Sequence, residues 1–174
     1  DRQLDFADDG IDLAIRSGEL PDSDWLVARR LGMQTMVLCA SPAYLQAHGA
    51  PRSVADLAGH RCIAYMRSGR AAPWWLAGED GSLAAPVLEP ALGFDDIETI
   101  ATATLQGAGL AHMPLWRVRS ALDSGALVRL LPDVPAARIP LHVLWPRTRF
   151  LPYRLRVTID ALLAAIPPLL QEQS

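Results

Sequence analysis

Residues 94–114 read FDDIETIATATLQGAGLAHMP, and this stretch decides the fold class. Asp95 precedes Glu98 by three positions, which is the spacing of a capping box at the start of a helix. The apolar positions that follow recur at helical spacing and form one stripe: Ile97, Ile100, Ala101, Thr104 and Leu105. Gly107 and Gly109 predict the end of this helix, and the apolar run at residues 110–113 predicts a buried strand that Pro114 closes. A helix that leads directly into a buried strand indicates an α/β fold.

Strands and helices are expected to alternate on both sides of this stretch. Strands are predicted at residues 11–16, 25–31, 33–40, 62–66, 127–131 and 139–145. Helix starts are predicted at Ser41-Pro42, Ser53, Trp116 and Pro152. Gly32 is expected to separate the second strand from the third, and Pro167 is expected to end the last helix. Residues 74–76 and 83–88 are expected to pair as an antiparallel ribbon.

The composition indicates a globular chain that does not itself bind nucleic acid. The 174 residues include 51% apolar and 20% charged side chains, which supports a packed core and argues against disorder. The 16 basic and 19 acidic side chains give a formal net charge of −3. Domains that bind nucleic acid usually carry a basic face, so this charge argues against DNA or RNA as a direct partner. DNA binding by a segment outside this sequence stays open.

The sequence also predicts a cytoplasmic location. No apolar run is long enough to span a bilayer, and the best candidate, residues 162–170, is interrupted by two prolines. No signal peptide opens the sequence. Cys39 and Cys62 are too few for a disulfide scaffold. A reducing, cytoplasmic setting without a membrane partner is therefore expected.

The sequence contains no motif typical of an active site. The histidines stand alone, without the short spacings of metal ligands: His48, His60, His112 and His142. The nucleophile elbow GxSxG, the dinucleotide fingerprint GxGxxG and the Walker A pattern are absent. The glycines at 107 and 109 follow a predicted helix instead of preceding one, which is wrong for a phosphate loop. No catalytic residue, metal or cofactor is therefore predicted.

Two pairs of residues have both a functional and a structural interpretation. Cys39 and Cys62 are candidates for a redox pair, but Cys39 lies in a strongly apolar strand, where burial raises the pKa of the thiol and makes it unreactive. Trp74 and Trp75 are candidates for stacking on a ligand ring, but adjacent strand residues point to opposite faces. Packing is the favoured interpretation of both pairs.

Arg16 ends a predicted buried strand, which is a position at which open α/β sheets bind ligands. One interpretation is contact with an organic anion through the guanidinium group. The other is a structural salt bridge with Asp8, Asp9 or Asp12. The residues leave both interpretations open.

Six segments, in the same order, resemble the effector-binding domain of LysR-type transcriptional regulators. DGIDLAIRSGEL resembles the strand and loop of that family that reads D-x-A-I-R-x-G. VLCASPAYLQAHGAPRSVADLAGHRCI resembles its crossover strand, its SPAYL helix and its D-L-A-x-H-x-C-I segment, and FDDIETIATATLQGAGLAHMP is similar to its pocket-lining helix and following strand. The closing segments GALVRLLPD, LHVLWP and LPYRLRVTIDALL match in turn. The six occupy residues 9–20, 37–63, 94–114, 125–133, 141–146 and 151–163.

The resemblance implies a two-lobed α/β fold like that of type 2 periplasmic binding proteins, with a small-molecule effector held between the lobes. Lobe one would hold residues 1–40 and 149–174, and lobe two would hold residues 41–148. Regulators of this family form homo-oligomers, dimers or tetramers, and bind DNA through an N-terminal winged helix-turn-helix. That head and the first strand–helix–strand unit of lobe one are not in this sequence. Lobe one is therefore expected to be incomplete, with an unpaired sheet edge and exposed apolar surface. The chain alone is expected to self-associate or to be marginally stable.

The resemblance also implies a set of effector-binding residues. Lobe one would contribute Arg16, Ser17 and Gly18. Lobe two would contribute Met66, Arg67, Asp95, Asp96, Met113 and Pro114. The guanidinium group of Arg16 favours an organic anion as the effector, whereas the carboxylates at 95 and 96 oppose one.

Two other functions occur on such a two-lobed fold. A solute-binding protein of a transporter would need export, and no signal peptide supports it. An enzyme such as a porphobilinogen-deaminase-like transferase would need a set of reactive groups, and the sequence contains none. An effector-sensing domain that controls transcription is therefore the leading hypothesis.

Overall fold

Strands and helices alternate along the part of the chain that the structure, a computed structural model, describes: Phe6, residues 10–77 and residues 82–171. The strands are β1 (Ala14–Ser17), β2 (Leu26–Ala40), β3 (Cys62–Arg67), β4 (Arg70–Ala71), β5 (Leu76–Ala77), β6 (Leu83–Ala84), β7 (Pro90–Phe94), β8 (Leu110–Pro114), β9 (Val128–Arg129) and β10 (Arg138–Pro146). The helices are α1 (Pro42–His48), α2 (Ile97–Leu105), α3 (Leu115–Asp123) and α4 (Tyr153–Leu170), with a short 3-10 helix at Ala55–Gly59. The predicted mixed α/β fold is confirmed.

The chain divides into two compact units. The first unit contains Met36–Ala137, and the second contains the described residues of Gln3–Thr35 and Arg138–Ser174. The boundaries therefore fall after residues 35 and 137, whereas the resemblance places the lobe boundaries after residues 40 and 148. The assignment of these two units to the lobes of the family stays a prediction.

The sheet of the first unit has a separate apolar core on each face. β3 lies between β7 and β8 and is parallel to both, while the end of β2 pairs antiparallel with β8 and β9. Successive strand residues point to opposite faces, so alternate apolar side chains enter different cores. One core joins the strands to α2 and α3 through Val37, Ile63, Ile100, Met113 and Val118. The other joins them to α1 and the 3-10 helix through Leu38, Tyr44, Leu57, Cys62 and Leu110.

The sheet of the second unit is antiparallel, with β10 between β1 and the first part of β2. Helix α4 covers one face, where Leu155 and Ile159 pack with Leu31 and Val143. Leu144 points to the opposite face and packs in a smaller cluster with Phe6 and Ala14. The last helix therefore holds this unit together by its amphipathic stripe.

Gly32 does not separate two strands, so that prediction is wrong. β2 is one continuous strand of 15 residues. Leu141 on β10 pairs with Gly32, and the next residue, His142, pairs with Arg30, so β2 carries one extra residue in a β-bulge. A Cβ at Gly32 would also lie 2.7 Å from Cδ1 of Leu170. The glycine therefore marks a bulge and a close side-chain approach instead of a break.

Pro167 does not end the last helix either. α4 continues to Leu170 and contains both Pro167 and Pro168. Proline removes a backbone hydrogen bond, which normally ends or kinks a helix. Here the side chain of Leu170 packs against Gly32 on β2, so a tertiary contact supports the final turn.

Two strands are shorter than predicted, and a third strand was not predicted. β1 begins at Ala14 instead of residue 11, because only residues 14–17 have partners on β10. β9 is limited to Val128–Arg129. β7 was not predicted, because it forms by pairing with β3 and its residues are largely exposed, so it lacks a continuous apolar run. Pairing partners distant in sequence decide all three lengths.

Local signals for the first helix are confirmed. Ser41 is the N-cap of α1, where its hydroxyl accepts a hydrogen bond of 3.3 Å from the backbone N–H of Tyr44. Gly49 follows the helix with φ of 77°. Ser53, in contrast, caps no α-helix, because the segment forms the short 3-10 helix. The carboxylate of Asp56 accepts hydrogen bonds from the backbone N–H groups of Arg52 and Ser53, at 2.8 and 3.0 Å.

The antiparallel ribbon is confirmed in part, since residues 74–75 and 85–88 lie outside the strands. β5 pairs with β6, with Leu76 opposite Ala84. Trp74 is 6% exposed and Trp75 is 39% exposed, so the two tryptophans do point in different directions. Packing of Trp74 in the core agrees with the structural interpretation of this pair.

Gly109→Ala should destabilise the first unit strongly. A Cβ at Gly109 would lie 2.2 Å from the carbonyl oxygen of Arg61, which is backbone and cannot move aside without shifting a strand. We expect a loss of at least about 2 kcal/mol in the free energy of unfolding, measured in urea. Gly59→Ala is the matched control, because a Cβ there meets nothing within 4 Å. Equal stability of the two variants would contradict the close backbone approach.

Candidate functional site

The parallel strands of the first unit bring the predicted lobe-two residues to one edge of the sheet. Tyr65 on β3 pairs with Phe94 on β7, and Ile63 on β3 pairs with Ala111 on β8. The carboxyl ends of the three strands therefore lie side by side, as at the ligand-binding edge of open α/β sheets. This carboxyl edge consists of Met66, Arg67, Asp95, Asp96, Met113 and Pro114.

The side chains at the carboxyl edge do not all face outward. Met113 is 1% exposed and packs in the core beneath α2 and α3. Pro114 is buried and is the N-cap residue of α3. Met66 is half-buried and lies over Gly93, where a Cβ would come within 2.6 Å of its Sδ. Met113 and Pro114 therefore shape the edge through their backbone, while Met66 offers a partly accessible thioether.

A tight hairpin places two arginines at the carboxyl edge. β3 turns into β4 through Ser68 and Gly69, whose φ values of 48° and 75° fit a type I′ turn. This turn pairs Arg67 directly with Arg70, and both residues are exposed. The hairpin therefore places two guanidinium groups at directly paired strand positions.

The N-cap of α2 is Asp96 and not Asp95, so the predicted capping box is displaced by one residue. One carboxylate oxygen of Asp96 accepts hydrogen bonds from the Thr99 backbone N–H at 2.8 Å and the Thr99 hydroxyl at 2.7 Å. The Thr99 hydroxyl and then its N–H hold the pKa of Asp96 below its ordinary value. β7 extends to Phe94 and α2 begins at Ile97, so Asp95 lies between the strand and the cap residue.

The first turn of α3 also differs from a typical helix start. Pro114 supplies no side-chain cap, and the turn contains no acidic residue. It does contain Arg117, whose guanidinium group forms an ion pair with Glu98 of α2. The uncapped backbone N–H groups of a helix start are favourable to negative charge.

The lobe-one residues of the prediction end strand β1 in the second unit. Arg16 pairs with His142 and Ser17 with Leu141, so the side chains of Arg16 and Ser17 point to opposite faces. The Ser17 hydroxyl accepts a hydrogen bond from the side chain of buried Gln34. The structure therefore does not bring Arg16 and Ser17 to one face of the sheet.

Gly18 follows Ser17 with φ of 101°, and its N–H donates to the Pro140 carbonyl at 2.9 Å. Its positive φ explains the glycine at the end of this strand. Asp12, one of the expected partners of Arg16, lies 3.3 Å from the guanidinium of Arg154. The other two expected partners, Asp8 and Asp9, lie outside the described residues.

His112 is a half-buried polar residue for which the sequence offered no specific signal. It lies on β8 opposite Leu38, and its ring centroid is 6.0 Å from that of Trp74. Its Nε2 atom is buried without a hydrogen-bond partner among the described residues. Burial lowers the pKa of His112 to about 4. The ring is therefore neutral near pH 7.

The two cysteines are buried as expected, and neither forms a disulfide. Burial raises the pKa of Cys39 to about 12 and that of Cys62 to about 11. Thiols with such values carry almost no thiolate near pH 7, and the thiolate is the reactive form. This agrees with packing as the favoured interpretation of the pair.

The described residues contain neither a metal-binding cluster nor a helix that could span a membrane. No three His, Cys, Asp or Glu side chains there gather in a way that could hold a metal ion. No helix in the same part of the chain combines the length and apolar character needed to cross a bilayer.

An open mixed sheet whose strand ends form an edge of the kind that binds ligands is typical of an α/β binding domain. Comparison with known proteins identifies the family of this domain. The LysR substrate binding domain family matches residues 1–167, and the chain belongs to this family. The probable HTH-type transcriptional regulator LtrA of Klebsiella pneumoniae is 34% identical over 172 residues, which cover 97% of this chain and 55% of LtrA. The chain spans about half the length of the curated relatives it matches.

Solved structures agree with this family and its fold. The regulatory domain of CrgA, a LysR-type transcriptional regulator from Neisseria meningitidis, matches with a TM-score of 0.78 at 28% identity, over 92% of this chain and 78% of that one. The regulatory domain of AphB in Vibrio vulnificus matches with a TM-score of 0.73 at 28% identity, over 93% of this chain and 78% of that one. The expected periplasmic-binding-protein-like fold is confirmed.

Asp96→Ala and Asp95→Ala should have different effects on stability, which distinguishes the roles of the two neighbouring carboxylates. Removing the Asp96 carboxylate leaves the Thr99 N–H without its cap, so the urea midpoint of unfolding should fall. Asp95 is exposed and lies before the cap, so its replacement should leave the midpoint nearly unchanged. If Asp95→Ala lowered the urea midpoint more than Asp96→Ala does, the capping box predicted from the sequence would be correct.

Acid should weaken the first unit through His112. The folded-state pKa of about 4 is below the ordinary value of 6.5, so the unfolded chain takes up the proton first as the pH falls. The stability due to the neutral ring is complete above pH 6.5 and is lost between there and pH 4, by about 3 kcal/mol. His112→Leu should flatten this part of the pH profile of urea unfolding. An NMR titration that shows the His112 ring charged at pH 6 would contradict the prediction.

Proposed function

We propose that the chain is the effector-sensing domain of a LysR-type transcriptional regulator. Membership of the LysR substrate binding domain family supports this function. The similar proteins are named as HTH-type transcriptional regulators, and the similar structures are named as regulatory domains. Those names favour regulation of transcription over transport of a solute and over catalysis.

DNA contact in this proposal belongs to an N-terminal winged helix-turn-helix outside this sequence. The net charge of −3 supports that division of labour, because DNA-binding surfaces are usually basic. The relatives have about as much chain again beyond the matched part. The complete regulator would act in the cytoplasm as a homo-oligomer, in which the effector changes the populations of two arrangements of the subunits.

The proposed effector contacts are the residues of the carboxyl edge together with Arg16, Ser17 and Gly18. The observation that carries this assignment is the parallel register of β3, β7 and β8, which gathers the carboxyl edge from three separate stretches of sequence. Ligands of open α/β sheets bind beyond such strand ends because loops there can vary without disturbing the core.

The charges at the carboxyl edge support an organic anion as the effector. Arg67 and Arg70 are paired at the hairpin, and the first turn of α3 has no acidic residue. Asp96 opposes an anion less than the sequence alone suggests, because its carboxylate is bonded to Thr99 of its own helix. Among the residues of the carboxyl edge, Asp95 is the other opposing charge. An anion is therefore better placed near the hairpin and α3 than near α2.

The test is a ligand screen on the full-length regulator with arginine variants. Small carboxylates and neutral aromatic compounds are screened by thermal shift, and binders are measured by calorimetry. Arg67→Ala and Arg70→Ala should each weaken the best anionic binder by about tenfold, because each removes a charge-assisted hydrogen bond. Arg52→Ala is the control, since it removes an exposed arginine of the same unit outside the carboxyl edge.

The same ligand should change the affinity of the full-length protein for the genomic DNA fragments that it selects. A ligand that binds tightly without changing DNA affinity would favour the solute-binding alternative. Unchanged ligand affinity in both Arg67→Ala and Arg70→Ala would show that the carboxyl edge is not the site.

A further inference from the structure

An ion pair joins the first turns of α2 and α3 at the carboxyl edge. β7 and β8 lie on either side of β3 and run parallel to it, α2 follows β7 closely, and α3 follows β8 directly. Glu98 lies in the first turn of α2 and Arg117 in the first turn of α3, and their side chains are paired. The Glu98–Arg117 pair therefore lies beside the proposed effector contacts.

The two charges of the pair differ in how well they suit their own helices. The free backbone N–H groups of a helix start favour negative charge and oppose positive charge. Glu98 is thus favoured in α2 with or without a partner. Arg117 is disfavoured in α3, whose first turn has no acidic residue and no side-chain cap to offset its charge. Arg117 therefore depends on an anion from outside its own helix, whereas Glu98 does not depend on Arg117.

Exposure to solvent also differs across the pair. The side chain of Glu98 is 62% exposed, whereas that of Arg117 is 25% exposed. A well-solvated carboxylate loses little when an ion pair opens, so exposed pairs contribute little to stability. The mostly covered arginine has less freedom to move and is already ordered for a ligand. Glu98 is therefore the member of the pair that another anion can replace.

The described contacts use only part of the guanidinium group. Nη2 of Arg117 donates a hydrogen bond to Glu98, while Nε is buried without a partner among the described residues. The Nε–H and one Nη2–H of a guanidinium group are parallel and match the two oxygens of a single carboxylate. A buried donor without an acceptor costs free energy. A carboxylate that engages both donors would therefore bind Arg117 better than Glu98 does.

Asp96 sets the direction from which such a carboxylate approaches. The Thr99 hydroxyl and N–H hold the pKa of Asp96 below its ordinary value, and the positive charge of Arg117 adds to this effect. Asp96 is thus close enough to interact with Arg117, but its hydrogen bonds to Thr99 keep it in place as the cap of α2. An incoming anion is repelled on the α2 side, so it replaces Glu98 from the α3 side, where the first turn holds no acid.

We propose that Arg117 binds the carboxylate of the effector and that Glu98 occupies this position in its absence. The guanidinium group turns so that Nε and Nη2 donate to the two oxygens of the arriving carboxylate, and the carboxylate of Glu98 returns to water. Binding thereby opens the link between α2 and α3. The regulatory meaning of this exchange rests on the proposed function, but the exchange itself does not.

Calorimetry on the full-length regulator tests this exchange with acetate, butyrate and cyclohexanecarboxylate, with the corresponding amides as uncharged controls. The carboxylates should bind at least about tenfold more tightly than their amides. Glu98→Gln removes the competing charge and should tighten carboxylate binding by at least about threefold. Arg117→Lys keeps the positive charge but not the paired donors, and should weaken carboxylate binding by about tenfold.

Asp123→Asn is the matched control for Glu98→Gln. It removes one negative charge from the exposed last residue of α3, at the opposite end of the helix from Arg117, so carboxylate affinity should not change. Urea unfolding of every variant separates ligand binding from folding, because loss of the ion pair should lower the unfolding midpoint only slightly.

Each outcome decides between the exchange and its alternatives. Carboxylate affinity that is unchanged in Glu98→Gln, or raised equally in Asp123→Asn, would overturn the exchange. Unchanged affinity in Arg117→Lys would also overturn it, and a lower urea midpoint in that variant would then assign the pair to folding. Equal binding of carboxylates and amides would contradict it as well.

DNA affinity distinguishes the exchange from the proposed function. The expected changes in carboxylate affinity, without any effect of the carboxylate on DNA affinity, would sustain the exchange and contradict the proposed function. A carboxylate that alters DNA affinity equally in the unmodified regulator, Glu98→Gln and Arg117→Lys would sustain the proposed function and overturn the exchange.

Discussion

The backbone contact between β3 and β8 is the constraint on which the first unit depends. The N–H of Leu110 donates a hydrogen bond of 2.8 Å to the carbonyl of Arg61, and this approach is possible because Gly109 has no side chain to fill the gap. It starts the parallel pairing of the two strands, which then carries fully buried Ile63 and Leu110 into opposite cores. The same pairing aligns the strand ends, so the existence of the carboxyl edge follows from a contact at the other end of the strands.

Adjacent residues with the same chemistry have different tasks in this protein. Asp96 is committed to the start of α2 through two hydrogen bonds from Thr99, while Asp95 remains exposed. Arg29 and Arg30 likewise point to opposite faces of one strand, and only Arg30 stands beside His142. The amino-acid composition therefore does not indicate which charged side chains of this domain lie close together. The register of each strand and the first residue of each helix decide which charges meet.

Local signals in the sequence predicted local structure well and long-range structure less well. Ser41 and Gly49 mark the ends of α1 because a cap needs only residues a few positions away. The predictions at Gly32 and Pro167 were wrong for a shared reason. Gly32 was expected to interrupt a strand and Pro167 a helix, but these two elements support each other through Leu170, which packs on Gly32. β7 escaped prediction because its pairing with β3, and not its own apolar pattern, makes it a strand.

The sequence by itself determined the α/β class, the ends of α1, the inert buried cysteines and, through its ordered motifs, the LysR family. Those features depend on neighbours in the chain or on a pattern of residues that survives without coordinates. Only the tertiary structure decided that Arg16 and Ser17 point to opposite faces, that Met113 is buried, and that His142 and Arg30 stand in line with Arg16. The physical reason is that strand register sets these relations, and register is chosen by the packing of segments that are far apart in sequence.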